Sequence, residues 1–224
     1  MNTQRDFHVN TKHNHYYTPK PESKSRPAVI SYAVKGITLQ LSTDSGVFSK
    51  GQVDFGTDLL IRSIPPLTGS ILDLGCGYGV VGIALACLNP AAVVYLSDIN
   101  ERAIALCKTN LQQNLQHPAN NTTASANPMI ESHRVFLSDG FAQITEQFNT
   151  IALNPPIRAG KATVFQLYHD AHQHLHNNGC LYIVIQKKQG MASSQSELTK
   201  IFGNCECLAH KSGYHILRSE RRNA

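Results

Sequence analysis

Residues 71–83 read as a buried strand, a glycine-rich turn and the start of a helix, and this motif constrains the fold more than any other part of the chain. The apolar residues before the turn are typical of a strand that is covered on both faces. Glycines at positions 75, 77 and 79 allow the backbone to turn tightly, and the apolar run after them predicts a helix over residues 80–88. We therefore expect a ligand at the N-terminus of this helix.

Two ligand classes compete for this turn, beside the simpler possibility that it binds nothing. A dinucleotide fingerprint needs glycine at positions 75, 77 and 80, but position 80 is Val and the third glycine stands at 79. The observed spacing, with Asp73 just ahead of the turn, resembles motif I of the class I S-adenosylmethionine-dependent methyltransferases.

Strand-like and helix-like segments alternate along the rest of the chain, which predicts an α/β fold with a mostly parallel sheet and helices on both faces. A long helix is predicted over residues 161–176, with Asn178-Gly179 as its C-terminal stop. The predicted divisions are a polar N-terminal arm (1–27) and one domain (28–224), in which 28–60 form a hairpin and lead-in and 112–128 a mobile loop.

Composition narrows the class of protein only loosely. The formal charge of +5 suits a polyanionic partner without requiring one. Six cysteines lie mostly in apolar segments without C-x-x-C spacing, so we expect reduced core residues and no metal site. The N-terminal arm lacks an apolar signal region, and no run approaches the ~20 apolar residues of a membrane span. These features predict a soluble cytoplasmic protein and leave its oligomeric state open.

Polar residues follow four predicted strands, and the ends of parallel strands meet at one edge of a sheet. At the second end, Asp98 can accept hydrogen bonds from both hydroxyls of a ribose, and at the third, Asp139 can accept one from an adenine amino group. Any one of these aspartates, taken alone, fits a helix cap equally well. The predicted ligand-binding residues are Asp73, Gly75, Cys76, Gly77, Gly79, Asp98, Ile99, Asn100, Asp139, Gly140 and Asn154.

The fourth strand end, Asn154-Pro155-Pro156-Ile157, indicates a reaction at an amino group. An exocyclic or amide NH2 is a poor nucleophile because its lone pair is delocalised. If the Asn154 side-chain oxygen and the Pro155 carbonyl each accept one N–H, the lone pair is held toward an electrophile and the developing charge is stabilised. We therefore predict Asn154, Pro155, Pro156 and Ile157 as the catalytic segment, although Asn-Pro is also a common turn.

The motifs together resemble those of the RsmC-type small-domain methyltransferases, in their short single-domain form. The resemblance implies a seven-stranded Rossmann-like sheet with its last strand antiparallel, S-adenosylmethionine as cofactor, and guanine N2 of small-subunit ribosomal RNA as substrate. The segments that carry it are residues 46–49, 54–57, 72–77, 98–100, 154–161 and 186–190, with His15, Tyr16, Tyr17, Pro21, Ser23 and Pro27 in the arm.

Substrate contacts are predicted around the mouth of the site. Position 157 is Ile, where many amino-methylating relatives carry an aromatic residue that stacks on the flipped base, so base identity stays open. The predicted substrate-binding residues are Phe48, Arg158, Lys161, Lys187 and Lys188, with the N-terminal arm as a further contact. The four basic residues among them would be equally ordinary as solvated surface charges.

Other functions remain open at this point. A glutamine amide on a protein, or another nucleobase amino group, would suit the same two acceptors. A cofactor-retaining RNA-binding or ribosome assembly protein without catalysis is an alternative of another class, and a dehydrogenase is a third.

Overall fold

The computed structural model describes residue 19 and residues 23–115 and 133–222. The strands of this part are β1 (Ala28–Val34), β2 (Ile37–Thr43), β3 (Ser70–Leu74), β4 (Val93–Asp98), β5 (Arg134–Leu137), β6 (Phe148–Leu153), β7 (Leu175–Gln186), β8 (Glu206–Lys211) and β9 (Tyr214–Glu220). The α-helices are α1 (Phe55–Ser63), α2 (Val80–Leu88), α3 (Glu101–Leu115), α4 (Lys161–Gln173) and α5 (Met191–Phe202). Short 3-10 turns cover Ile157–Ala159 and Lys187–Gln189.

Seven strands form one sheet in the order β5-β4-β3-β6-β7-β9-β8, while β1 and β2 form a separate N-terminal hairpin. Strands β3 to β7 pair in parallel, and β9 runs antiparallel to both of its neighbours, β7 and β8. The predicted Rossmann-like α/β fold with an N-terminal hairpin is confirmed. Because β3 to β7 run the same way, their carboxyl ends lie along one edge of the sheet.

Both faces of the sheet are buried. Along β3, Ile71 contributes to the apolar cluster on one face, and Leu72 and Leu74 to the cluster on the other. Helix α2 lies so close to the sheet that a Cβ at Gly82 would stand 2.5 Å from the Leu96 side chain. This close packing positions the N-terminus of α2 at the end of β3.

Two asparagines of α3 attach the N-terminal hairpin to the domain. Asn110 accepts a bond from the Ser42 N–H (2.7 Å) and donates to the Ser42 carbonyl (2.9 Å), and Asn114 makes the same pair of bonds to Gln40. Amide side chains thereby replace a neighbouring strand along the free edge of β2. Such satisfied polar groups fix the hairpin in one position on the domain.

The end of α4 differs from the prediction. The helix ends at Gln173, not at residue 176, and β7 already begins at Leu175. The Phe148 N–H donates to the His174 carbonyl (2.8 Å), which starts the pairing of β6 with β7. Asn178, at φ 64°, lies within β7 where the register with β6 shifts, so the Asn-Gly pair marks a bulge in a strand and not a helix stop.

Some predictions fall partly or wholly outside the described residues. Of the predicted loop, residues 112–115 belong to α3, and residues 116–128 lie outside the described part of the chain. Most of the predicted N-terminal arm also lies outside it. In the described part, no helix has both the length and the apolar character that crossing a membrane requires.

Candidate active site

A cleft of about 990 Å³, counted out to its open mouth, lies at the carboxyl edge of the sheet. The ends of β3, β4 and β6 and the turn after β5 form its floor and far wall. The predicted residues that line it are Phe48, Asp73, Gly75, Cys76, Gly77, Asp98, Ile99, Asn100, Gly140, Asn154 and Pro156. The predicted residues Gly79, Asp139, Pro155, Ile157, Arg158, Lys161, Lys187 and Lys188 are described by the structure but are not among the lining residues.

The three glycines of the turn have different roles. All three have positive φ values, which favour glycine. Cβ atoms added at Gly75 and Gly77 would meet nothing within 4 Å, so the bare backbone at these positions faces open space. At Gly79 a Cβ would stand 2.7 Å from Ile83 and 3.0 Å from the Cys107 sulfur. Gly79 is therefore required by packing, while Gly75 and Gly77 leave room for a ligand.

Asp73 is a structural cap of α2. Its Oδ2 accepts a bond from the Gly82 N–H (2.7 Å), and its side chain is buried. Burial raises the pKa of Asp73 to about 7, the Gly82 bond opposes this shift, and the charge of Asp98 adds to it. Asp73 lines the cleft, but its hydrogen bond with Gly82 stabilises the N-terminus of α2, where a carboxylate is favourable.

Asp98 connects the glycine turn to the end of β4. Its Oδ2 accepts from the Gly77 N–H and its Oδ1 from the Asn100 N–H, both at 2.8 Å. Burial raises the pKa of Asp98, against the effect of these backbone bonds, which lower it. The Ile99 backbone N–H also bonds this carboxylate, so three of its roughly four acceptor positions are used and about one remains for a ligand hydroxyl.

Residues 44–54, which we call the roof segment, cover one side of the cleft. Val47, Phe48 and Ser49 line it from above. The Asn100 side chain donates to the Gly46 carbonyl (3.0 Å), and the Tyr78 hydroxyl donates to the Ser49 carbonyl (3.2 Å). The roof segment is thus bonded both to the end of β4 and to the glycine turn.

Asp44 anchors the start of the roof segment. It accepts bonds from the Ser25 hydroxyl (2.7 Å) and the backbone N–H groups of Arg26 and Ser45, and Arg102 lies 3.8 Å away. Burial opposes ionisation, but these donors hold the pKa of Asp44 below its ordinary value. The short stretch of the arm next to β1 is therefore fixed against the roof segment.

Asn154, at the end of β6, is oriented by a residue of the motif at 54–57 to which the sequence analysis gave no role. Its Nδ2 donates to the hydroxyl of Thr57 (3.2 Å), a buried residue in the first turn of α1. The Thr57 N–H in turn donates to Asp54, the N-cap of that helix (3.2 Å). This bond uses one amide hydrogen of Asn154 and none of the acceptor capacity of its Oδ1.

The residues after Asn154 form a compact turn. The Pro155 carbonyl accepts from the Ile157 N–H (2.9 Å), and the Pro156 carbonyl accepts from the Ala159 N–H (2.8 Å). Pro155 is buried, and Ile157 packs against the apolar cluster of α4 and α5. The carbonyl predicted as the second acceptor thus has one lone pair engaged and one remaining.

The charged residues of this turn point outward. Arg158 and Lys161 are both exposed, and the Lys161 ammonium lies 5.0 Å from the centre of the Phe165 ring. Asp139 is also exposed, whereas the neighbouring Gly140, at φ 53°, lines the cleft.

Ser97 is a lining residue that the sequence analysis did not single out. Its side chain is 1% exposed, and within the described structure its Oγ has no hydrogen-bond partner. An unpaired buried hydroxyl is costly, so a bound molecule or water is expected to satisfy it. The sequence feature that could have indicated Ser97 as a lining residue is its hydroxyl, which stands at the end of the apolar strand β4. Among the described residues, no group of His, Cys, Asp or Glu could hold a metal ion.

Comparison with known proteins places the chain in a family. The family described as "Methyltransferase small domain" matches residues 38–218. A Bacillus subtilis (strain 168) protein named "Uncharacterized protein YbxB" is 37% identical over 211 residues, which cover 92% of this chain and 98% of that protein. "Ribosomal RNA small subunit methyltransferase C" of Shewanella amazonensis is 32% identical over 188 residues, which cover 82% of this chain and 50% of that enzyme.

A solved structure matches the fold. The T. thermophilus 16S rRNA N2 methyltransferase RsmC, in complex with AdoMet and guanosine, aligns with a TM-score of 0.72 at 22% identity, over 89% of this chain and 52% of that one. The chain thus spans about half the length of each of these rRNA methyltransferases. The match over residues 38–218 includes the glycine turn, Asp98 and Asn154, and it shows that the chain belongs to the methyltransferase small domain family.

Proposed function

We propose that this protein transfers the methyl group of S-adenosylmethionine to an exocyclic amino group, specifically N2 of a guanine in small-subunit ribosomal RNA. The observation that carries the proposal is the bond between Asn154 and Thr57, because it leaves the Asn154 Oδ1 available as an acceptor in a cleft lined by the glycine turn and Asp98. Two of the proteins compared above, the Shewanella amazonensis enzyme and the T. thermophilus RsmC, are named as ribosomal RNA methyltransferases, which supports the substrate class.

The residues of the cleft fit this cofactor. Bare backbone at Gly75 and Gly77 gives a ligand close access to the N-terminal end of α2. Asp98 keeps an acceptor position for a ribose hydroxyl, and the buried Ser97 hydroxyl offers a further polar contact. The bound cofactor would supply an electrophilic methyl group on a positively charged sulfur.

Asn154 is the residue that orients the amino group for methyl transfer. Its Oδ1 accepts one hydrogen of the target NH2, and the free lone pair of the Pro155 carbonyl is the candidate second acceptor. Two such bonds fix the nitrogen with its lone pair directed at the methyl group and stabilise the charge that develops there. A strong base is not required, since the methylated nitrogen loses its extra proton readily to solvent.

Phe48 supplies the aromatic surface that position 157 does not. Phe48 belongs to the roof segment and lines the cleft, and the residue is 39% exposed. A base turned out of an RNA strand can stack on such a ring at the entrance to a cleft. We therefore assign base stacking to Phe48 and acceptance of the amino hydrogens to Asn154.

The test combines a variant with identification of the product. We expect Asn154→Ala to lower the rate of methyl transfer by roughly 100- to 1000-fold, because one preorganised acceptor is lost, while S-adenosylmethionine affinity measured by calorimetry stays nearly unchanged. Asn149→Ala is the matched control: it removes an asparagine from the same strand at the opposite edge of the sheet, where its side chain bonds Ser70.

Labelled methyl groups identify the substrate class. The protein is incubated with labelled S-adenosylmethionine and separate ribosomal RNA and protein fractions, and the RNA nucleosides are analysed by mass spectrometry. N2-methylguanosine that depends on Asn154 supports the proposal. Label found only in protein, or full turnover by the Asn154→Ala variant, contradicts it.

A further inference from the structure

A second depression lies beside the cleft, between the end of β7 and the β8–β9 hairpin. We call it the C-terminal groove, and its lining residues are Lys187, Met191, Gln195, Cys207, His210, Gly213 and His215. The Lys187 N–H donates to the Gly213 carbonyl (2.8 Å), which holds the tip of the hairpin against the end of β7. Because β7 ends at the same edge of the sheet as β6, the groove opens on the side of the molecule that carries the cleft.

The groove is surrounded by positive and hydrogen-bond-donating side chains. His210 and His215 stack with ring centres 5.8 Å apart, and the Lys187 charge acts on His215. Burial lowers the pKa of His215, and the charges of His210 and Lys187 lower it further. Lys188 and Lys211 are exposed at the ends of the adjoining segments.

The acidic residues of the β8–β9 hairpin and of α5 are directed away from the groove. The two carboxylates of the β8–β9 hairpin, Glu206 and Glu220, lie at its far end, where both pair with Arg218 at 2.7 and 3.3 Å. The carboxylate of α5, Glu197, pairs with Lys200 at 3.3 Å. The groove therefore presents a positive surface that complements a polyanion.

An aromatic pair connects this groove to the cleft. Phe55 and Tyr214 have ring centres 5.6 Å apart, and the Phe55 side chain is 37% exposed. The Tyr214 ring lies against Gly56, where a Cβ would stand 2.7 Å from it. The same turn of α1 supplies Thr57, which orients Asn154, so the aromatic pair lies next to the catalytic segment.

We propose that the aromatic pair and the C-terminal groove form a docking path for single-stranded RNA that flanks the target nucleotide. This inference rests on the proposed function. A basic track with aromatic rings beside it is the arrangement by which proteins bind a single strand, since the cations follow the phosphates and the rings stack on bases. Lys187, Lys211 and the two histidines contact the backbone, and Phe55 stacks on the base nearest the cleft.

The experiment measures RNA binding directly. The probe is a fluorescein-labelled single-stranded RNA of about 15 nucleotides, followed by anisotropy at several salt concentrations. We expect Lys187→Gln/Lys211→Gln to weaken binding and to reduce the slope of log affinity against log salt by about 0.7 for each phosphate that the variant no longer neutralises. We expect Phe55→Leu to weaken binding about 5-fold or more at every salt concentration, because a stacking surface is removed.

Controls separate docking from folding and from catalysis. Lys108→Gln removes an exposed lysine of α3, which packs near the opposite end of the sheet, and should leave affinity and salt slope unchanged. Unchanged S-adenosylmethionine affinity in all variants shows that they fold. Groove variants that bind the RNA probe as tightly as the unmodified protein, with the same salt slope, overturn the docking path even if the protein methylates ribosomal RNA. A groove that binds RNA in a protein that methylates only protein substrates overturns the proposed function, and with it the docking of RNA beside a target nucleotide.

Discussion

The floor of the cleft and its mouth are built in contrasting ways. On the floor, Asp73 and Asp98 are held by backbone N–H groups at 2.7 to 2.8 Å. At the mouth, Phe48 is an exposed side chain of the roof segment, and in the adjoining docking path Phe55 and Lys187 are exposed at a helix start and in a 3-10 turn. The difference teaches that changes on the floor should act on stability and cofactor binding, whereas changes at the mouth should act on the substrate.

The largest effect that would sharpen this contrast concerns Asp73. Its pKa, raised to about 7, lies above that of an aspartate in the unfolded chain, so the folded protein holds the proton of Asp73 more tightly. The free energy of unfolding that this proton contributes is complete below about pH 4 and is lost as the pH rises through 7. Asp73→Asn keeps an acceptor for Gly82 and removes this titration. We expect the stability of the variant relative to the unmodified protein to rise by up to about 4 kcal/mol from about pH 4 to about pH 8.

Urea unfolding at each pH gives this difference. Asp139→Asn is the control, because Asp139 is exposed. A difference between the Asp73→Asn variant and the unmodified protein that stays flat with pH would show that Asp73 is not held in its raised-pKa environment.

A second prediction compares two glycines of the turn, Gly79 and Gly77. Gly79→Ala places a methyl group against Ile83 and Cys107 at a positive φ, and we expect it to lower the free energy of unfolding by about 3 kcal/mol. Gly77→Ala meets no neighbour, so it should cost about 1 kcal/mol of stability and instead weaken S-adenosylmethionine binding at least about 10-fold. Chemical unfolding and calorimetry measure the two effects. Equal stability losses at both positions would remove the distinction between packing and ligand access.

The smallest expected effect is at Ser97, a floor residue that we expect to contribute to cofactor binding but not to stability. Ser97→Ala removes a buried hydroxyl that has no partner in the described structure, so the stability of the free protein should stay the same or rise slightly. If the cofactor satisfies this hydroxyl, its affinity in the variant should fall about 5-fold, corresponding to one hydrogen bond of about 1 kcal/mol. A thermal melt together with calorimetry measures both. Loss of stability without loss of affinity would mean that Ser97 has a partner within the protein.

Local patterns in the sequence were enough to predict a mostly parallel sheet and the residues at its strand ends, whereas the seven strands with the last one antiparallel were implied by the family resemblance. The strand and helix around Gly75 follow from apolar runs and glycine spacing, and Asp98 and Asn154 stand where the alternation predicts strands to end. These features depend on neighbours in the chain. They can therefore be predicted from the sequence alone.

Contacts between distant segments were beyond such patterns. Asn154 is oriented by Thr57, which is 97 residues away, and the roof segment is held by Asn100, which lies 54 residues from Gly46. The end of α4 was wrong for a related reason, since pairing with Phe148 draws residues after Gln173 into β7, although Leu175 continues the helical spacing of the apolar residues Leu167 and Ala171. Strand pairing with a distant segment outweighed this local spacing.

The side-chain amide of Asn110 joins two parts of the molecule that the sequence separates. Its Nδ2 donates to the carbonyls of Ser42, in β2, and Tyr78, in the glycine turn, at 2.9 Å each. Fluctuations that detach the N-terminal hairpin must therefore also break a bond of the turn, so the two are expected to open as one cooperative unit. A ligand that binds at the turn is therefore expected to stabilise the N-terminal hairpin as well, although it makes no contact with the hairpin.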